Sequence, residues 1–272
     1  MRFEVIRAEG AQHLTVNRDG VNYVIEGATD VSQALRDVGP ERLMQAAESA
    51  AVSITGDLIA PLSPSKIVAI GLNYLDHIRE AGVDRPTQPL VFAKFPSAVI
   101  GPHESIEIDR SIAERVDWEV ELAAVIGVTA RHVSVDRALD VVFGYTIAND
   151  VSARDVQFGD GQWVRGKSLD TFCPLGPAVV TADAIPDPQS LALRTTVNGE
   201  PMQDSSTSEM LFGVAELVAF CSRNFTLHPG DVILTGTPWG CGEFMTPQRS
   251  LASGDIVVCS IEGIGDLVNP VV

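Results

Sequence analysis

The sequence predicts a β-rich α+β fold, from three observations. Short apolar runs bounded by Gly and Pro recur along most of the chain. Few stretches of helical periodicity interrupt them, so the strict strand–helix alternation of a doubly wound sheet is missing. With 272 residues, 45% hydrophobic and 20% charged, the chain can bury a full core and is not disordered in composition. No internal repeat or low-complexity tract breaks the pattern.

Residues 3–6, 13–16 and 21–25 read as short strands, the last two joined by a hairpin turn at Asn17-Arg18-Asp19-Gly20. Helices follow at 31–37 and 40–51. The second opens on Pro40 and carries Leu43, Met44 and Ala47 at helical spacing. Residues 58–65 include Pro61 and Pro64 and read as an extended connector, dividing a small N-terminal part (1–62) from a larger domain (63–272). In that domain strands are expected at 66–70, 90–94, 118–126, 141–148, 177–181, 192–197, 231–235 and 255–261. Helices are expected at 73–81, with Asn73 as its cap, at 135–139 and at 210–222.

A net charge of -17 and a pI near 4.5 argue against a nucleic-acid partner, which such a surface would repel. The same field opposes small anionic substrates unless a metal or placed Lys and Arg overcome it locally. Cys173, Cys221, Cys241 and Cys259 are scattered without a C-x-x-C pair, so neither a zinc knuckle nor a disulfide framework is expected. Free thiols, an N-terminus without a secretory leader and no apolar run near the roughly 18 residues a membrane span needs give a cytoplasmic, membrane-free expectation.

Candidate chemistry concentrates in four places. In residues 116–127 carboxylates alternate with apolar residues, so Glu119 and Glu121 share a strand face, roughly 7 Å apart. A hard divalent cation would relieve their repulsion; the alternative is a solvated edge strand. Asp117 has the same parity. Asp150, at the end of an apolar strand, is a third candidate oxygen ligand or a turn cap. His77 and Glu80 lie three apart on a helix, where a carboxylate can orient an imidazole base or merely make a surface pair. The polar loop 81–89 has the composition of a lid. Lys167, beside Gly166, can serve a carboxylate or a developing oxyanion, or be one more surface lysine. The strand before Thr235-Gly236-Thr237-Pro238 ends in a turn whose amides and Thr237 hydroxyl can receive a carboxylate. No phosphate-loop pattern is present, which argues against nucleotide binding.

In this order the phrases Gly71-Leu72-Asn73-Tyr74…His77…Glu80, Glu119-x-Glu121-Leu122, Gly144-Tyr145…Asn149-Asp150…Arg154-Asp155, Gly166-Lys167-Ser168, Val197-Asn198-Gly199 and Pro229-Gly230-Asp231…Thr235-Gly236-Thr237-Pro238 are similar to those of the fumarylacetoacetate hydrolase superfamily. The resemblance covers about residues 66–272. It implies a mixed-sheet β-roll with a small N-terminal α/β appendage, assembled as a homodimer. It also implies Mg²⁺ or Mn²⁺ on Glu119, Glu121 and Asp150, with Asp117 outside the ligand set. His77 and Glu80 would then activate water, Lys167 and Gln157 would contact the reacting oxygens, and Gly236 and Thr237 would hold a carboxylate. Arg154 is a weaker, structural carry-over. Cys241 and Trp118 depart from the Val and Tyr common in the family and would reshape the pocket.

The activity this resemblance implies is metal-dependent cleavage of a C–C bond in a small anionic 2-oxo acid, through a stabilised enolate. Acylpyruvate or fumarylacetoacetate hydrolysis and oxaloacetate decarboxylation are the forms considered. The alternatives are a 2-hydroxyhepta-2,4-diene-1,7-dioate-type isomerase of aromatic catabolism and a non-catalytic binding protein.

Overall fold

A mixed sheet of twelve strands dominates the computed structural model, which describes residues 1–272. Its order runs Ser53–Ile54, Val21–Val24, Ala11–Arg18, Arg2–Ala8, Cys173–Thr181, Val142–Asn149, Val120–Ile126, Val232–Leu234, Ile67–Gly71, Leu90–Lys94. Asp57–Ile59 adds to Arg2–Ala8, and Val99–Ile100 runs parallel to Cys173–Thr181. Val232–Leu234 is also parallel to Ile67–Gly71, while the remaining pairs are antiparallel. A second sheet orders Glu200–Ser206, Ala192–Val197, Ile256–Ile261, Gly265–Pro270. This is the β-rich α+β architecture the sequence predicts.

The central strand explains where the core sits. Val120, Leu122, Ala124 and Ile126 enter one apolar cluster, whereas Ala123 and Val125 enter another with Phe3, Leu14 and Phe143. Both faces of the sheet are therefore covered, so nothing along Val120–Ile126 is solvated and the edge-strand reading fails. Glu121 is the one charged residue inside this strand. The N-terminal strands are joined to the rest by register: Arg2 and Phe3 pair with Val180 and Val179. The 62/63 division falls in the proline-bearing connector, with Asp57–Ile59 before it and Ile67–Gly71 after it.

Several expected elements shift for identifiable reasons. The 118–126 strand is interrupted: Val116–Asp117 pairs with Ser152–Ala153, and the ladder resumes only at Val120. Residues 58–59 belong to a short strand instead of a connector. The helix expected from Asn73 begins at Leu75, because the Asn73 side chain is used elsewhere. The 210–222 helix is Val214–Asn224, entered through Gly213 after a 3₁₀ turn at Thr207–Glu209. The 135–139 helix is a 3₁₀ segment, Val135–Val141. The hairpin at 17–20 forms as expected, with positive φ at Asp19 and Gly20. No helix is long and apolar enough to cross a membrane.

Candidate active site

The acidic centre is assembled by the break in the expected strand. Between Asp117 and Val120 the backbone leaves its ladder, and Glu119 is held instead by its own neighbours. Its N–H donates to Asn149 Oδ1 at 3.0 Å, and its carbonyl accepts from Asp150 N–H at 2.9 Å. These bonds lock the start of the Val120–Ile126 strand to the end of Val142–Asn149. Asp150 therefore emerges beside Glu119 and Glu121. All three carboxylates are buried, with ligand atoms within 4.8 Å of one another.

Cations surround this centre unevenly. The Lys167 ammonium donates to Glu119 at 2.7 Å and to Asp150 at 2.9 Å. Lys94 donates to the other Asp150 oxygen at 2.5 Å and also to the Lys167 carbonyl. Arg154 spans Asp117 at 2.7 Å and Glu119 at 2.6 Å, while Nη1 reaches Gln157 at 3.1 Å. Burial raises the Glu119 carboxyl, but Lys167 and then Arg154 overcome it and hold it down at about 2. Burial disfavours the Lys167 ammonium too, yet the Asp150 and Glu119 carboxylates keep it charged. Glu121 contrasts with Glu119. It accepts a hydrogen bond from Gly236 N–H at 2.7 Å, and burial followed by the Asp150 and Glu119 charges pushes its carboxyl well above the usual range.

That contrast fits a hard divalent cation. Four buried carboxylates, Asp117 included, face three buried cations, and Glu121 is the carboxylate that no ammonium or guanidinium contacts. An oxygen-only donor set of this kind suits Mg²⁺ or Mn²⁺. Asp117 is committed to Arg154 and to Glu243 N–H at 2.8 Å, away from the triad.

Opposite lies the imidazole. Leu72 adopts a left-handed φ of 53°, turning the chain out of Ile67–Gly71. Asn73 then donates to the carbonyls of Thr235 and Phe212 at 2.8 and 3.0 Å, instead of capping the helix. Leu75–Ala81 is thereby fastened next to the Thr235–Thr237 turn. Gly236 sits in that turn with φ of 96°, and a Cβ there would meet Asn73 Cβ at 2.9 Å. On the helix, His77 Nδ1 lies 3.1 Å from Glu80 Oε2, leaving Nε2 as the other ring nitrogen. The second Glu80 oxygen accepts from Gly240 N–H at 2.9 Å, and Phe244 packs edge-on against the imidazole at 5.2 Å. The pair is buried to half-buried, not a solvated surface contact.

His77, Glu119, Glu121, Gln157, Lys167 and Thr237 line one cavity of about 200 Å³. This is smaller than the roughly 300–1,000 Å³ typical of pockets for drug-sized ligands. Asp150 and Glu80 stand behind that lining. Lys167 is buried, not a surface lysine, because Gly166 lets its short helix press against the preceding one: a Cβ there would meet Gln157 N at 2.7 Å. The Gly236 amide is taken by Glu121, whereas the Thr237 hydroxyl accepts from Gln203 Nε2 at 2.8 Å. Two residues of this environment carry no functional mark in the sequence. Lys94 ends an ordinary apolar strand, and Gln203 lies in a strand rich in Pro, Asp and Ser; neither carries a local signal of burial.

The fumarylacetoacetate (FAA) hydrolase C-terminal family profile matches residues 66–272. The mitochondrial oxaloacetate tautomerase fahd2 of Xenopus laevis is 49% identical over 218 residues, covering 79% of this chain and 68% of the relative. A solved fumarylacetoacetate hydrolase from Exiguobacterium antarcticum is 38% identical with a TM-score of 0.88, covering 100% of this chain and 99% of that one. A 5-carboxymethyl-2-hydroxymuconate delta-isomerase from Mycobacterium smegmatis is 40% identical, TM-score 0.81, with 100% and 98% coverage.

Proposed function

Since the chain belongs to the fumarylacetoacetate hydrolase family, and is an enzyme of that family, we propose that it interconverts the keto and enol forms of a small 2-oxo dicarboxylic acid of the oxaloacetate type, with Mg²⁺ or Mn²⁺. The observation that carries this reading is that a carboxylate-oriented imidazole and two carboxylates of a buried acidic triad, Glu119 and Glu121, line one small cavity. The tautomerase name of the Xenopus relative and the isomerase name of the Mycobacterium structure support a proton shift as the net reaction.

In this mechanism Glu80 accepts the Nδ1–H hydrogen bond, so the neutral imidazole keeps its lone pair on Nε2. Nε2 takes a proton from C3 of the keto acid. The imidazolium then yields that proton to the 2-oxo oxygen, giving the enol with no change in composition. The Lys167 ammonium faces the developing oxyanion, and Thr237 with Gln157 orients the acid. A divalent ion held by Glu119, Glu121 and Asp150 would supply Lewis acidity toward the 2-oxo acid.

Cleavage of a C–C bond is the second reading, supported by the hydrolase name of the Exiguobacterium structure. It shares the enolate but needs His77 to activate water. Product analysis by NMR separates the two, with oxaloacetate, an acylpyruvate, fumarylacetoacetate and a hydroxy-dienedioate offered with Mg²⁺. Equilibration of oxaloacetate tautomers without loss of carbon is the expected result. Release of pyruvate from an acylpyruvate at a higher kcat/KM would overturn it in favour of cleavage.

A further inference from the structure

We propose that His77, Glu80 and Cys241 form a second metal site, selective for Zn²⁺ or a similarly thiophilic ion, whose occupancy shuts off the base. Cys241 Sγ lies 4.0 Å from His77 Nδ1, and Nδ1 lies 3.1 Å from Glu80 Oε2. All three ligand atoms fall within 4.8 Å of one another. Ligands at zinc bond lengths of about 2.0–2.3 Å stand roughly 3.3–3.6 Å apart in a tetrahedron, so small side-chain shifts suffice.

The surroundings have the features a metal site needs. Gly240 N–H fixes the remaining Glu80 oxygen at 2.9 Å, and Phe244 fixes the ring. His77 lines the cavity and Glu80 and Cys241 stand behind it on the Nδ1 side, so an ion enters past the imidazole ring. The donor types discriminate between the two centres: sulfur and nitrogen here favour a borderline or soft ion, whereas the oxygen-only triad favours a hard one.

Binding replaces the thiol proton by the metal and releases it to solvent. The imidazole proton, which Nδ1 shares with Glu80, moves to Nε2 when Nδ1 takes the metal. A ring protonated on Nε2 has no lone pair to accept a substrate proton. The inhibitory consequence rests on the role proposed for His77, whereas the site itself does not.

The test is an optical titration of the purified protein with Co²⁺, in excess Mg²⁺ to occupy the oxygen site. A thiolate-to-cobalt charge-transfer band with intense tetrahedral visible bands is expected, lost on adding Zn²⁺ and absent in both Cys241→Ala and Cys241→Ser. Co²⁺ binding without a thiolate band, or the same band in both variants, overturns the site. In parallel, Zn²⁺ should inhibit oxaloacetate tautomerisation at least about tenfold less potently in each variant, each compared with its own Mg²⁺-supported rate. Equal inhibition in all three proteins overturns the shut-off. Should oxaloacetate not be turned over at all, the functional reading falls while the titration still decides the site.

Discussion

Replacing Arg154 with methionine removes a guanidinium that serves two buried carboxylates, Asp117 at 2.7 Å and Glu119 at 2.6 Å. Methionine fills much of the volume, so the dominant loss is electrostatic. Asp117 keeps one N–H from Glu243, and Glu119 keeps Lys167, but each is left with an oxygen whose charge partner is gone. Breaking a buried pair by removing one member costs about 3–5 kcal/mol. For a chain of this size that lowers Tm by on the order of 10 °C. The assay is thermal and urea unfolding in chelator, so that no divalent ion compensates Glu119. Adding Asp117→Asn should recover part of the loss, with a coupling of about 1–3 kcal/mol between the two positions. A single-variant loss below about 1 kcal/mol, or additivity within about 0.5 kcal/mol, would refute the view that this arginine neutralises the buried acids.

The triad predicts that Glu121→Gln and Asp150→Asn each weaken Mn²⁺ binding by at least about 100-fold in calorimetry. Wild-type affinity in either variant would remove that residue from the ligand set. Burial pushes the Cys173, Cys221 and Cys259 thiols up to about 12 from an ordinary value near 9. A thiol raised in this way contributes stability that is fully present below about 9 and is lost as pH rises toward 12. Urea midpoints should therefore fall as pH rises from 9 toward 12, and a midpoint unchanged over that range would contradict the burial of these thiols. Maleimide labelling of the folded chain at pH 8 should leave these three cysteines unmodified, and rapid labelling of any of them would contradict their burial.

Most of the fold was legible because short apolar runs bounded by Gly and Pro mark strands, at the sheet edge as well as in the core. Leu90–Lys94 and Ala192–Val197 have the bounds their apolar runs suggest. What was lost had local chemistry of the opposite sign. Glu200–Ser206 contains Pro201, Asp204, Ser205 and Ser206, all weak strand formers, and forms because Asn198-Gly199 turns it onto Ala192–Val197. That Asn-Gly pair was itself a hairpin signal, with positive φ at both residues. In the site, parity on an ideal strand brought Glu119 and Glu121 together, but the structure does so through a ladder break that no period-two rule anticipates. Asn73 reads locally as a cap, whereas its bonds run to residues 139 and 162 positions away. Lys94 is a further case: a lysine closing an apolar strand looks solvated until the fold places Asp150 against it.

In the proposed function His77 moves the substrate proton beside a metal held by Glu119, Glu121 and Asp150. It is tested most directly by the rate of oxaloacetate enol-to-keto conversion in wild type and His77→Ala, each with its Mn²⁺ affinity measured on the same sample. The expected rate in the variant is lower by about 10²–10⁴-fold, with Mn²⁺ affinity within about threefold of wild type and activity abolished in both by chelator. Tautomerisation by the variant at the wild-type rate, or a wild-type rate indifferent to chelator, would contradict it.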